Sequence, residues 1–349
     1  MRERSPALRL RFPYPKEFAR QHHVKLFKDD SLFVRPNAYR RPRIVGNQQD
    51  SALMDQQTIS VIIPTKAHPA RRALLRRAID SVLAQENVRV VPIVVINGSE
   101  QDPELRSEIV ADRRFRVVTL ENADLPAALR TGREMVDSKW FAELDDDDVL
   151  MPRALISRLD ALEKQPEFDL VVTNGVMRGA DNDKLNFDGD VSAIEADPLR
   201  AMLRQNWLLP GSWLCRSDTV GIEFFTGIPR FRECTYLGLQ FASRLRIKFL
   251  DCPTVVYHTD TPHSESKSQA YFLGVADATR RMLELRLPPD VLDHIRRWLG
   301  DACSTNAHYY LQEKDLTTAW GWYRQSLRGP GGWRRSLLAR RFAYALLRP

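Results

Sequence analysis

Between residues 58 and 164 the chain repeats one pattern: a short, largely apolar run, β-branched in the first three of four cases, then a stretch with helical spacing. The runs are 58–64 (TISVIIP), 88–96 (VRVVPIVVI), 115–120 (FRVVTL) and 139–144 (KWFAEL). Runs of this length and composition, bounded by turn signals, read as buried strands. After the first run, Leu74, Leu75, Ala78, Ile79, Val82 and Leu83 fall on one helical stripe with arginines opposite. Residues 126–137 read as a second helix, and Pro152 opens a third at a favoured early position. Strands alternating with helices predict an α/β chain, with a mainly parallel mixed sheet flanked by helices. Ligands of such sheets bind beyond the carboxyl ends of the strands. Three loops leave at that edge: Pro64-Thr65-Lys66, Asn97-Gly98 and the acidic run Asp145-Asp146-Asp147-Asp148.

The acidic run is the most demanding of the three. Four adjacent carboxylates after a buried strand repel one another, and a divalent cation relieves that repulsion. Hard oxygen ligands suit Mg²⁺ or Mn²⁺. In an extended chain successive side chains alternate, which puts Asp145 and Asp147 on one side and Asp146 and Asp148 on the other. Helix capping ahead of Pro152 is the competing reading; it accounts for Asp148 better than for four aspartates.

Composition narrows the classes. The N-terminus has basic residues but no continuous apolar stretch behind them, so no signal peptide is expected. No apolar run approaches the ~18 residues of a spanning helix. The cysteines (Cys215, Cys234, Cys252 and Cys303) form no CxxC pair, which argues against zinc and fits a reducing, cytoplasmic setting. Of the net +7, residues 1–50 contribute +7 and residues 328–349 contribute +6, leaving a mildly acidic body. Basic ends of this kind meet phosphates on lipid or nucleic acid, or simply solvate the chain. Nucleic-acid binding is disfavoured, because no recognised module is present and the acidic centre stays unexplained.

Four segments in order carry a resemblance. They are SVIIPTKAHP, the helix end Ser81-Val82-Leu83-Ala84-Gln85, VVINGSEQD and KWFAELDDDDVLMP. Over residues 59–152 the chain resembles a family 2 glycosyltransferase of GT-A (Rossmann-like) fold, and NWLLPGSWLCRSDTVG extends the match to residue 221. The resemblance implies a metal-dependent, inverting transfer from a nucleotide-sugar donor, with UDP favoured, to a saccharide or glycolipid acceptor in cell-surface polysaccharide synthesis. It places Pro64, Thr65 and Lys66 against the nucleotide. Asn97 stands where the family usually has an aspartate for the base. Arg130 is one position displaced from the family's Arg-Asn pair and is a candidate for the diphosphate. Asp145 is assigned to the ribose, Asp146 to the nucleotide side and Asp147 to the metal, with His263 or His258 of the late loop as a further ligand.

The catalytic base is harder to place. The family's Glu-Asp pair maps to Glu233-Cys234, which makes Glu233 the candidate; the competing reading is an ordinary charge at a helix start. A neutral thiol at Cys234 is a poor base for a sugar hydroxyl. Trp213 and Ser212, with Trp207, are candidates for stacking on an acceptor sugar, against a core role for the tryptophans. The expected organisation is an irregular basic arm over 1–57 and a transferase domain over 58–269, followed by a helical region with a basic tail over 270–349. The transferase domain divides into a nucleotide-sugar half, 58–152, and an acceptor half, 153–269. Peripheral contact of the tail with the inner membrane face and docking to a partner protein both fit its arginines and aromatics. Cys234 and the displaced Arg130 keep a second class open: a catalytically degenerate partner subunit.

Overall fold

The computed structural model describes residues 57–336 apart from Glu100, Asp181, Pro262 and His263. The expected N-terminal arm, His263 and the end of the basic tail lie outside the described residues.

The first half is built as the alternation predicts. β1 (Thr58–Thr65), β2 (Arg89–Asn97), β3 (Arg116–Leu120) and β4 (Trp140–Glu143) are mutually parallel, in the order β3-β2-β1-β4. Between them run α1 (Arg72–Leu83), α2 (Pro103–Ala111) and α3 (Leu125–Glu134). α1 buries Leu75, Ala78, Ile79 and Val82, one face of the stripe. α2 is started by Asp102, whose carboxylate accepts from the backbone N–H groups of Glu104 and Leu105.

The second half adds β5 (Val149–Leu150), α4 (Ala154–Lys164), β6 (Leu170–Arg178), β7 (Asp183–Leu185), α5 (Val191–Ala196), α6 (Pro198–Arg204) and β8 (Trp213–Arg216). α7 (Glu233–Arg244) and β9 (Ile247–His258) follow. The sheet continues as β4-β8-β6-β9-β5, with β7 on β6. β8 runs antiparallel to both β4 and β6, so a parallel block and a mixed block share one sheet.

Ile247–His258 form one long strand, β9, that runs through Pro253. The pairing of β9 with β6 slips between Thr173 and Asn174 and again between Asn174 and Gly175. A bulge lets Pro253 sit inside a strand without forfeiting a ladder hydrogen bond. The helix expected to open at Pro152 begins at Ala154, after Arg153 in a left-handed conformation at φ 63°.

Strand periodicity divides the core. Val61 and Ile63 of β1 face a cluster with Leu75, Val94 and Leu155, whereas Ile62 faces Phe141, Trp213 and Phe241 on the other side. α8 (Gln269–Met282), α9 (Pro289–Gln312) and α10 (Leu316–Ser326) complete the described chain. Met282, Val291 and Ile295 belong to the same cluster as Trp213, so the helical region packs into the sheet's core. Among the described residues no helix is long and apolar enough to cross a membrane.

Candidate functional site

A cleft of about 490 Å³ opens at the carboxyl ends of β1, β2 and β4. It is lined by Pro64, Thr65, Lys66 and Asn97, by Glu143, Asp145, Asp146 and Asp147, and by Phe231, Arg232 and Glu233. Tyr257 and His258, at the end of β9, close it.

The acidic run does not stay extended. The Asp148 N–H donates to the Asp145 carbonyl at 3.2 Å, which makes a turn. That turn brings oxygens of Asp145, Asp147 and Asp148 within 4.8 Å of one another and sends Asp146 elsewhere. Thr65 Oγ1 donates to Asp146 Oδ2 at 2.6 Å, and Arg71 Nε donates to Asp146 Oδ1 at 3.1 Å. The Asp146 oxygens are thus taken by partners of its own. Arg71 Nη2 also stands 3.1 Å from Asp147 Oδ2, and Arg77 Nη2 donates to the Asp147 carbonyl at 2.6 Å.

Asp148 is fully buried and accepts from the His258 N–H at 2.8 Å, tying the acidic turn to the end of β9. Its Oδ2 has no hydrogen-bond partner among the described residues, and neither has Oε2 of the buried Glu143. Burial and neighbouring carboxylates push Asp148 up to about 6 and Glu143 up to about 8, and they raise Asp145 well above the usual carboxylate range. Orphaned carboxylate oxygens in a low-dielectric pocket are costly unless a cation meets them. An all-oxygen set of three converging aspartates fits a hard divalent ion.

Also lining the cleft, Phe231 and Arg232 both take left-handed conformations, at φ 70° and 61°. Strained backbone of this kind gathers at functional sites. It presents Glu233 as the first residue of α7, with Oε1 accepting from the Phe231 N–H at 2.7 Å. Burial pushes Glu233 up to about 7. The same burial raises the Cys234 thiol well above its ordinary value, helped by Glu143 and Asp145, so Cys234 stays neutral.

The sequence profile of glycosyl transferase family 2 matches residues 60–217. Residues 60–217 are a family 2 glycosyltransferase domain. An uncharacterized glycosyltransferase of Rickettsia prowazekii is 31% identical over 117 residues, which is 34% of this chain and 36% of that protein. The succinoglycan biosynthesis protein ExoO of Rhizobium meliloti is 35% identical over 97 residues, 27% of this chain and 28% of that protein. The chain thus spans about a third of the length of these relatives. Among solved structures, S. aureus TarS in complex with UDP-GlcNAc matches with a TM-score of 0.52 at 14% identity, over 83% of this chain and 88% of that one. That likeness is one of fold: a GT-A sheet with helices after it.

Within the family 2 domain the expected residues separate into two groups. Pro64, Thr65, Lys66, Asn97, Asp145, Asp146, Asp147 and Glu233 all line the cleft. Asn97 is spent partly on structure, its Nδ2 donating to the Thr65 carbonyl at 3.1 Å. Four expectations are corrected. Arg130 is exposed on α3 and pairs with Glu134 at 3.1 Å, away from the cleft. Trp213 is wholly buried, edge-on to Phe141 at 5.6 Å, and Trp207 is buried with its Nε1 donating to the Pro198 carbonyl at 2.9 Å. Ser212 is buried too, and its hydroxyl donates to the Leu209 carbonyl at 2.8 Å. Neither Trp213 nor Ser212 can touch an acceptor; Leu208, Leu209 and Pro210 of the same loop reach the cleft instead. Asp148 joins the converging aspartates rather than capping α4, while Asp146, held by Arg71 and Thr65, lines the cleft as expected. Sequence patterns alone do not single out Glu143 or Arg71. A carboxylate inside an apolar strand is the available signal for Glu143, whereas Arg71 meets Asp146 across 75 positions, with no local signal.

Proposed function

We propose that the chain moves a sugar from a nucleotide-diphosphate donor, with UDP favoured, to a hydroxyl of a saccharide or glycolipid acceptor, with inversion at the anomeric carbon. One observation carries the reading. Two of three converging aspartates, Asp145 and Asp147, line one cleft of a family 2 domain together with Glu233, a buried carboxylate with a value of about 7. TarS was crystallised with UDP-GlcNAc, and ExoO is named for succinoglycan biosynthesis; both favour a nucleotide-sugar donor and a polysaccharide product.

In this reading Pro64, Thr65, Lys66 and Asn97 hold the nucleotide at the ends of β1 and β2, and Asp145 meets the ribose. Asp147, with Asp145 and Asp148 converging on it, would hold Mg²⁺ or Mn²⁺, which neutralises charge on the departing diphosphate. Glu233 accepts the proton of the acceptor hydroxyl as its oxygen bonds to the anomeric carbon and the carbon–oxygen bond to the diphosphate breaks. A carboxylate with a value near neutrality suits that task better than an ordinary one. The exposed Trp333, with the Arg334 guanidinium 5.3 Å from its ring, supports peripheral contact of the C-terminal region with an anionic membrane face. The degenerate-partner reading is favoured by one feature, Cys234 at the position of the family's usual aspartate.

The test is nucleotide release from a panel of UDP-, GDP- and dTDP-sugars, with Mn²⁺ and with EDTA. Mn²⁺-dependent release from a UDP-sugar that Glu233→Gln slows supports the transferase. No release from any donor moves the degenerate partner to the front.

A further inference from the structure

We infer that Arg71 is a tethered counter-cation that competes with the divalent ion for Asp147 and yields that place when nucleotide binds; the inference rests on the metal-site reading above. Arg71 ends the short turn Pro69–Arg71 ahead of α1. Its Nε lies 3.1 and 3.3 Å from the two Asp146 oxygens, while Nη2 donates to Asp146 and stands 3.1 Å from Asp147 Oδ2. One planar fork therefore holds two neighbouring carboxylates of different kinds.

Asp146 lines the cleft too, but its oxygens are already taken by Thr65 and Arg71. Asp147 is open: it faces the cleft and belongs to the converging set. The guanidinium thus sets a permanent positive charge against an oxygen that the divalent ion would use. The pair is little screened, since the Arg71 and Asp147 side chains are only 17% and 14% exposed. Arg77 holds the Asp147 carbonyl independently, at 2.6 Å, so the turn keeps its main-chain anchor without Arg71.

Two consequences follow from charge alone. Without nucleotide, a divalent ion must displace a cation already on Asp147, so it binds more weakly than three carboxylates would suggest. With a diphosphate present, the displaced Nη2 gains phosphate oxygens as partners, which guanidinium groups bind well. Metal and nucleotide then strengthen each other's binding, and the coupling is reciprocal.

The test is Mn²⁺ binding, read from the paramagnetic resonance of free Mn²⁺, for the wild type, Asp147→Ala and the double variant Arg71→Met/Asp146→Asn. The double variant leaves net charge unchanged and strands no buried carboxylate. It is expected to bind Mn²⁺ about tenfold more tightly than the wild type without nucleotide, ~1.4 kcal/mol. UDP is expected to improve its Mn²⁺ affinity less than it improves that of the wild type. Affinity within twofold of the wild type, or weaker, overturns the inference, while loss of binding in Asp147→Ala leaves the metal-site reading standing. Wild-type protein that binds no Mn²⁺, or Asp147→Ala that binds it equally well, overturns the reading and the inference with it. If circular dichroism shows the double variant unfolded, Arg71→Gln replaces it, and unchanged Mn²⁺ affinity there is equally contrary.

Discussion

At the scale of single residues, Glu233, the proposed base, is the residue most open to test. Glu233→Gln keeps the volume and removes the base, so kcat should fall by about 10²–10⁴-fold with the donor KM little changed. A fall in both, together with a lowered melting temperature, would mark Glu233 as structural instead. Since burial raises its carboxyl to about 7, the protonated, inactive form dominates below that value. The rate should therefore climb as pH passes from 6 to 8, and a profile flat over that range would contradict the role. The residue types of the site are legible in the sequence, but their directions are not. Alternation in an extended chain groups Asp145 with Asp147 and Asp146 with Asp148. The turn closed by the Asp148 N–H on the Asp145 carbonyl brings Asp148 to the other side and leaves Asp146 to Arg71. Nothing local announces that turn, because it depends on contacts with α1 and the end of β9.

At the scale of elements, the loop that carries Leu208, Leu209 and Pro210 into the cleft depends on what lies beneath it. Gly211 has φ 73°, and a Cβ there would meet Leu144 Cδ1 at 2.7 Å. Gly211→Ala should cost about 1–3 kcal/mol from strain and overpacking, read as a shifted denaturation midpoint. An unchanged midpoint would show that the loop is free to move. Fully buried Arg158 fixes the same loop, donating from Nη2 to the Gly211 carbonyl at 2.6 Å and from Nη1 to the Trp213 carbonyl at 3.2 Å. Arg158→Leu strands those acceptors and should destabilise by about 2–4 kcal/mol. Stability equal to the wild type would contradict that account. The tryptophans in this region mislead for a physical reason. A Trp beside Pro-Gly-Ser is as compatible with a sugar platform as with a core, and burial decides between them. The strands β1 and β2, by contrast, are legible because each is a β-branched run with its successive residues buried on both faces.

At the scale of the whole molecule, the alternation up to α4 is readable, while the mixed block is not. β8 and the long β9 are set by pairings with distant strands, and the bulge at Asn174 hides the continuity of β9. The clustering of raised carboxylates has a global consequence. Glu143, Asp145, Asp148 and Glu233 hold their protons more tightly folded than unfolded, from an ordinary value of about 4 up to about 8 for Glu143. The folded state binds more protons throughout that window, so stability is fully present below the unfolded values and is lost as pH rises. Carboxylates held low by partners, such as Asp102 and Asp290, titrate below the window. Metal-free protein in EDTA should therefore melt lower at pH 8 than at pH 5.5, and Mn²⁺ should restore most at pH 8. A melting temperature that is level or rising over this range would contradict the picture.

The central claim is a metal-dependent nucleotide site on Asp147. Calorimetric titration of UDP tests it most directly, run with Mn²⁺, with EDTA and on Asp147→Ala. The predicted result is saturable binding in Mn²⁺ that vanishes in EDTA and in Asp147→Ala. UDP bound equally well in all three, or UDP, GDP and dTDP bound in none, would contradict it.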